Sequence, residues 1–186
     1  MKKFILLILL IISSLATAEN FSPNPSFSVC FTPGDNCVAS LISEISQAKK
    51  QILVEAYTFT DFHLAKALVK ANKHGVDVKI LLDRSQIDNK NFVMDYLQTN
   101  NIYLKIDYQP MIAHNKVMII DSNIVATGSY NYTYRAQEKN AENILIIKDA
   151  GVAKHYIANW YARDKASVSI EKYRTLNIKP ASFVAH

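Results

Sequence analysis

The chain has 186 residues, with 21 lysines and arginines against 16 acidic residues, and its formal net charge at pH 7 is +5. This length supports one domain with a sizeable core. The charge favours a phosphate-bearing partner, either nucleic acid or anionic lipid. It is too small for a dedicated DNA-binding protein, whose binding face is strongly cationic.

Residues 1–18 have the three regions of a secretory signal peptide. Lys2 and Lys3 precede an apolar run over 4–12, and a small-residue cleavage site ends at Ala18. We expect cleavage there, which would give a secreted or periplasmic protein of 168 residues with a net charge of +3. An uncleaved membrane anchor is the alternative, but the apolar run is short for a membrane span.

The two cysteines, Cys30 and Cys37, flank a turn at Pro33-Gly34-Asp35 that can bring them together. Export would place them in an oxidising compartment, where we expect a disulfide that tethers the amino-terminal segment to the first helix. Two free thiols and a metal site are the alternatives, and the metal site lacks further His or Cys ligands nearby. Neither cysteine is assigned a catalytic role.

The rest of the chain alternates between helical and strand-like patterns. Apolar residues recur at a helical period in some segments and form short continuous runs in others. This alternation predicts an α/β fold, with a mixed β-sheet flanked by helices in a single domain over 19–164, followed by a polar tail over 165–186. The predicted helices cover 38–50, 62–74, 91–98 and 151–163, and the predicted strands cover 52–57, 76–82, 102–106, 117–120, 124–127 and 144–147.

The stretch over 114–131 contains the densest set of reactive side chains. Its two apolar runs are joined by the turn-forming Asp121-Ser122-Asn123, which predicts an antiparallel hairpin folded about Ser122. The start of the first strand then lies beside the end of the second. This pairing gathers four side chains at one end of the hairpin: His114, Lys116, Ser129 and Asn131.

These four side chains suit a phosphate group. An imidazole can act as nucleophile or proton carrier, while an ammonium, a hydroxyl and an amide bind the non-bridging oxygens. Side chains alternate along a strand, so His114 and Lys116 can point to one face. Asp121 is seven residues after His114, an odd number, so its side chain points to the opposite face of the strand. This indicates a carboxylate that stabilises the turn or takes part in packing.

The pattern His-x-Lys-x4-Asp followed by Gly-Ser-x-Asn resembles the HKD motif of the phospholipase D superfamily. The likeness extends from 29–34 to about Arg163. It is closest to small bacterial members with one HKD copy, which include secreted phospholipase D-like proteins and Nuc-type endonucleases. The resemblance implies the superfamily's α/β sandwich and phosphodiester hydrolysis through a covalent phosphohistidine. The residues that match the motif are His114, Lys116, Asp121, Gly128, Ser129 and Asn131.

The resemblance also implies roles for these residues. His114 would be the nucleophile, Lys116 and Asn131 would hold the non-bridging oxygens, and Ser129 would donate a further hydrogen bond. Glu142 resembles the family carboxylate that hydrogen-bonds the catalytic imidazole, with an ordinary surface glutamate as the alternative. Asp121 belongs to the same catalytic motif.

No metal or other cofactor is expected, because no carboxylate cluster surrounds His114 and Lys116 can neutralise the phosphate. Tyr57, Thr58 and Phe59 resemble the family segment that borders the site, and core packing is the alternative for them.

The chain contains one His-x-Lys copy, whereas the two-step mechanism needs one imidazole to attack phosphorus and another to protonate the leaving oxygen. A two-fold dimer brings identical residues together across its axis. We therefore expect a homodimer with one composite active site, in which His114 of one subunit is the nucleophile and His114 of the other is the general acid. Such a pair titrates as a coupled system.

The motif recognises a phosphodiester and not the group attached to it. The export signal, the modest charge and the likeness to secreted phospholipase D-like proteins favour a phospholipid such as phosphatidylcholine, at a membrane surface. The likeness to Nuc-type endonucleases, the excess of basic residues, and base stacking by Tyr130, Tyr132 and Tyr134 favour nucleic acid as the alternative. A phosphate-binding module without catalysis is a distant third.

Overall fold

The alternating helical and strand patterns form a mixed eight-stranded sheet with helices on both faces. The computed structural model of the chain describes residues 19–88 and 91–176. The predicted signal peptide over 1–18 and the end of the predicted tail, 177–186, lie outside the described residues.

All ten predicted helices and strands form, with ends that differ from the prediction by at most three residues. The strands are β1 (Ser26–Thr32), β2 (Gln51–Ala56), β3 (Asp77–Asp83), β4 (Tyr103–Asp107), β5 (Lys116–Ile120), β6 (Ile124–Gly128), β7 (Glu142–Lys148) and β8 (Val168–Ser169). The helices are α1 (Cys37–Gln47), α2 (Phe62–Lys73), α3 (Ser85–Asp88), α4 (Phe92–Thr99), α5 (Tyr134–Glu138), α6 (Ala150–Ala166) and α7 (Ile170–Thr175).

The strand order is β1-β7-β6-β5-β2-β3-β4-β8. Strands β2, β3 and β4 are parallel, while β5 runs antiparallel to β2, and β6, β7 and β1 continue the antiparallel pairing. The carboxyl ends of the three parallel strands, the start of β5 and the end of β6 therefore meet at one end of the sheet. We call this the site end.

Apolar side chains are buried on both faces of the sheet. The larger core lies under α1, α2 and α4 and includes Leu41, Leu64 and Leu97. The smaller core lies under α6, where the buried Trp160 donates its indole N–H to the carbonyl oxygen of Val54 at 3.0 Å. The residues of the central strands β2, β3, β5 and β6 alternate between these two cores, as the pleat of a strand requires.

The predicted end of the domain at residue 164 is too early, because the fold continues beyond it. Helix α6 extends to Ala166, β8 pairs with β4, and α7 buries Ile170 and Tyr173 against the larger core. The sequence pattern did not indicate these elements, because the segment is polar and its few apolar residues are widely spaced. Strand β1, α3 and α5 were also absent from the sequence-based prediction.

Cys30 and Cys37 form a disulfide between β1 and the start of α1. The prediction of this bond is confirmed. Within the part of the chain that the structure describes, no helix is long and apolar enough to cross a membrane.

Candidate active site

The predicted hairpin forms with the predicted register. Val117 pairs with Thr127 and Ile120 with Ile124, so β5 begins and β6 ends at the site end of the sheet. Lys116 is the first residue of β5 and pairs with Ala56 at the end of β2. The hairpin thus presents the start of the His-x-Lys pattern beside the carboxyl ends of the parallel strands.

The carboxylate of Asp121 belongs to the turn at the opposite end of this hairpin. It accepts hydrogen bonds from the backbone N–H groups of Lys49, Lys50 and Gln51 at 2.7, 2.7 and 3.0 Å. Burial raises its pKa, but these backbone donors outweigh burial and hold the pKa below its usual value. Five residues of strand separate Asp121 from Lys116, or roughly 17 Å. The structure therefore places Asp121 outside the site, as the residue's parity indicated, and corrects its assignment to the catalytic set.

Lys116 and His114 are in direct contact at the site end. The Lys116 ammonium is buried and lies 2.9 Å from Nδ1 of His114, and it donates a hydrogen bond to the carbonyl oxygen of His114 at 2.8 Å. The imidazole is exposed and packs against the ring of Tyr57 at 4.5 Å between centroids. An exposed imidazole over a buried cation can accept a phosphate from solvent.

The electrostatics of this pair favour a neutral imidazole. Burial lowers the pKa of His114, the Lys116 cation lowers it further, and the negative charge of Asp83 opposes both effects. Burial also lowers the pKa of Lys116, while the charges of Glu142 and Asp83 oppose that shift. A neutral imidazole has the free electron pair that a nucleophile needs.

Ser129 and Glu142 form a hydrogen-bonded pair next to this site. Ser129 Oγ donates to the Glu142 carboxylate at 2.5 Å, and Asn140 Nδ2 donates to the other carboxylate oxygen at 2.8 Å. Among the described contacts of one chain, no hydrogen bond joins Glu142 to His114. The expected bond to the imidazole is therefore not formed within the chain, where the carboxylate binds Ser129 and Asn140 instead.

Gly128 allows β6 and β7 to approach closely beneath Ser129. A Cβ atom at residue 128 would lie 2.1 Å from the carbonyl oxygen of Asn143. That same carbonyl accepts a hydrogen bond from the N–H of Ser129 at 3.2 Å. Glycine at this motif position is thus required by backbone contact.

Asn131 completes the set of side chains that the sequence gathers here. Its Oδ1 is buried and has no hydrogen-bond partner among the described residues. Buried amide oxygens are normally bonded. This oxygen can accept a hydrogen bond from a ligand, whereas a phosphate oxygen would have to bind the Nδ2 donor of the same amide.

Two of the three tyrosines considered for base stacking are buried. Tyr130 and Tyr132 belong to the larger core, whereas Tyr134 is exposed. Phe59 is also buried, so core packing is correct for it, while Tyr57 borders the site through its contact with His114. The stacking surface expected for nucleic acid is reduced to Tyr134.

Two buried acids missed by the sequence analysis hold the segment that carries His114. Asp83, at the end of β3, accepts a hydrogen bond from the N–H of Ala113 at 2.7 Å. Glu55, on β2, accepts one from the side chain of Asn115 at 2.5 Å. The residues on both sides of His114 are therefore fixed to neighbouring strands. The sequence signal that could have identified both acids is an acidic residue near the end of a buried apolar run.

The comparisons with known proteins agree with this geometry. A family model described as a cardiolipin synthase, PLD-like domain matches residues 41–164. A protein of Rickettsia typhi named phospholipase D is 43% identical over 143 residues, which cover 77% of this chain and 70% of that protein. The chain belongs to the phospholipase D superfamily.

Two solved structures have the same fold as this chain. Nuc of Salmonella typhimurium aligns with a TM-score of 0.75 and 35% identity, over 78% of this chain and 97% of Nuc. NucT of Helicobacter pylori aligns with a TM-score of 0.75 and 26% identity, over 79% of this chain and all of NucT. The α/β fold expected from the resemblance to the superfamily is confirmed.

Among residues 19–88 and 91–176, no three His, Cys, Asp or Glu side chains are grouped as a metal site would require. Metal-independent activity stays a prediction.

Proposed function

We propose that this member of the phospholipase D superfamily is an exported phospholipase D that hydrolyses phospholipids such as phosphatidylcholine to phosphatidic acid and the head-group alcohol. The chain is a phosphodiester hydrolase, and the contact between the Lys116 ammonium and the His114 imidazole carries this conclusion. The neutral imidazole can attack phosphorus while the ammonium neutralises a non-bridging oxygen.

The reaction that fits this site has two steps. In the first, a nitrogen of His114 bonds to phosphorus, the bond from phosphorus to the head-group oxygen breaks, and a second imidazolium gives that oxygen its proton. In the second, the second imidazole takes a proton from water, which attacks phosphorus and frees His114. Lys116 and Asn131 stabilise the charge on the phosphoryl oxygens.

The second imidazole comes from a second copy of the chain, in a homodimer with one composite site. An uncovered apolar surface adjacent to the site supports this arrangement. Phe27, Val29 and Phe31 of β1 are exposed on the face of the sheet that bears α6, because the alternate residue Cys30 faces the larger core. Phe31 pairs with Asn143, whose N–H donates to Ser129 Oγ at 3.1 Å, so this surface reaches the site. Large exposed apolar surfaces next to incomplete sites suit self-association.

Subunit mixing tests the composite site. Adding an equal amount of His114→Ala protein to the wild type and allowing exchange should leave about half of the wild-type activity, because mixed dimers have one imidazole. Unchanged activity would place a whole site within each chain and contradict the dimer proposal. The sedimentation velocity of the wild type and of His114→Ala, which should match, controls for assembly.

The relatives and the buried tyrosines support a phospholipid substrate. Five relatives from Rickettsia species, 41–44% identical, are named phospholipase D. Burial of Tyr130 and Tyr132 removes two of the three side chains considered for base stacking. The second candidate is a non-specific endonuclease, which the likeness to Nuc supports.

Parallel assays on phosphatidylcholine vesicles and plasmid DNA, with His114→Ala as the blank, separate the two substrates. Lipid turnover without nicking supports the phospholipase, and nicking alone supports the endonuclease. Activity on neither substrate, together with no turnover of a soluble phosphodiester, would favour a phosphate-binding module.

Export is the remaining part of the proposal, and it rests on residues 1–18. Amino-terminal sequencing of protein from the periplasm or culture medium should give Glu19 as the first residue. Full-length protein confined to the cytoplasm would contradict it.

A further inference from the structure

Four exposed large apolar side chains lie on the segments that follow the parallel strands. Phe62 follows β2, Phe92 follows β3, and Met111 and Ile112 follow β4. Parallel strands end on the same side of a sheet. We call these four residues the apolar rim, because they all lie at the site end, where His114 is exposed.

The segments that carry the rim are fixed to one another by hydrogen bonds. Arg84 donates from its guanidinium to the carbonyl oxygen of Met111 at 3.0 Å. Asn91, which caps the helix that begins with Phe92, donates its amide to the carbonyl oxygen of Phe59 at 3.0 Å. Hydrogen bonds therefore hold the segments that carry the exposed rim side chains. Phe92 and Met111 are almost four-fifths accessible to solvent.

The character of the rim is apolar rather than strongly charged. Lys66 lies over the Phe62 ring at 4.7 Å, and Asp95 is exposed in the first turn of α4, beside Phe92. The guanidinium of Arg84, bonded to the Met111 carbonyl, adds one further positive charge, so the rim has only a small net charge. A surface of Phe, Met and Ile with little net charge suits a zwitterionic lipid layer, whereas nucleic acid requires cations and stacking surfaces.

We propose that the apolar rim inserts into the outer layer of a phospholipid bilayer and brings His114 to the level of the lipid phosphates. This inference rests on the proposed phospholipase function and adds the surface by which the enzyme meets its substrate. The proposed homodimer already brings a second copy to His114, so we place the rim at the edge of the composite site, outside the contact between the two copies. The β1 surface described above serves self-association instead.

Vesicle flotation tests the inference in the His114→Ala background, where no lipid is consumed. The double substitution Phe92→Ser/Met111→Ser should weaken binding to phosphatidylcholine vesicles by at least about tenfold. Phe21→Ser is the matched control. Phe21 is similarly exposed but adjoins Ser22, which is bonded to Asp149 just after β7, at the other end of the sheet. Equal affinity of the double variant and the control protein would overturn the proposal, as would rim-dependent binding of oligonucleotides in place of vesicles.

An assay with a soluble substrate distinguishes an effect on membrane docking from an effect on catalysis. With His114 intact, the double variant should turn over bis(p-nitrophenyl) phosphate at the wild-type rate while its turnover of vesicle lipid falls in line with binding. Equal losses on both substrates would show damage to the catalytic geometry and contradict the docking role. Rim-dependent vesicle binding by a wild type that does not hydrolyse lipid would refute the proposed phospholipase function while leaving membrane docking intact.

Discussion

Replacement of Glu55 by glutamine should make stability less sensitive to alkaline pH. Glu55 is 5% exposed on β2, and its carboxyl group accepts hydrogen bonds from Asn115 and, at 3.5 Å, from Asn159. Burial raises its pKa from 4.5 to about 7; the Asn115 bond opposes the shift, the charge of Asp107 adds to it, and Arg163 opposes it. The folded protein therefore binds this proton more tightly than the unfolded chain does.

The shift sets both the sign and the magnitude of the effect. As pH rises through the range between 4.5 and about 7, the unfolded chain loses the proton first and the free energy of unfolding falls. Each pKa unit corresponds to about 1.4 kcal/mol, so the full cost above pH 7 is about 3 kcal/mol. Glutamine cannot ionise and can still accept the Asn115 bond. Glu55→Gln should thus unfold like the wild type at pH 4 and be more stable by up to about 3 kcal/mol at pH 8.

Urea unfolding at several pH values and one fixed protein concentration measures this difference. Glu138→Gln is the control, because Glu138 is an exposed glutamate on α5. Parallel stability curves for Glu55→Gln and the wild type from pH 4 to 8 would refute the reasoning.

Four further predictions follow from the site and its hairpin. Lys116→Met should reduce turnover by about 10²–10³-fold and move the His114 limb of the pH–rate profile to higher pH, because a cation that lowers the pKa of His114 is removed. Asp121→Ala should lower the free energy of unfolding by about 2–4 kcal/mol in urea, through loss of three backbone hydrogen bonds, while turnover per folded molecule is retained. Gly128→Ala should cost at least about 2 kcal/mol in the same assay, since its Cβ would meet the carbonyl of Asn143. Activity should persist in EDTA; complete loss that metal restores would contradict metal independence.

Features set by neighbouring residues were predictable from the sequence. The hairpin was predicted with its register because the turn at Asp121-Ser122-Asn123 and the two apolar runs are contiguous. The disulfide was predicted because a short turn separates its cysteines. Local pattern sufficed for both.

Features that depend on strand order were not predictable in this way. Asp83 and Glu55 contact the residues beside His114 only because β2 lies next to β5 in the sheet and β3 lies next to β2. The bond between Ser129 and Glu142 was missed for a similar reason, since Ser129 reaches the carboxylate across adjoining strands. Tyr130 and Tyr132 follow β6 into the core, and no local pattern distinguished them from exposed tyrosines.

The position of β1 at the edge of the sheet determines when the sheet can be completed. Ser26 pairs with Lys148, so the first strand to be synthesised has no partner until almost the whole domain has followed it. Closing so long a loop is slow compared with local steps. The Cys30–Cys37 bond spans seven residues and can join β1 to α1 much earlier. A chain that stops before β7 would therefore retain an unpaired strand with exposed phenylalanines, which is a template for aggregation.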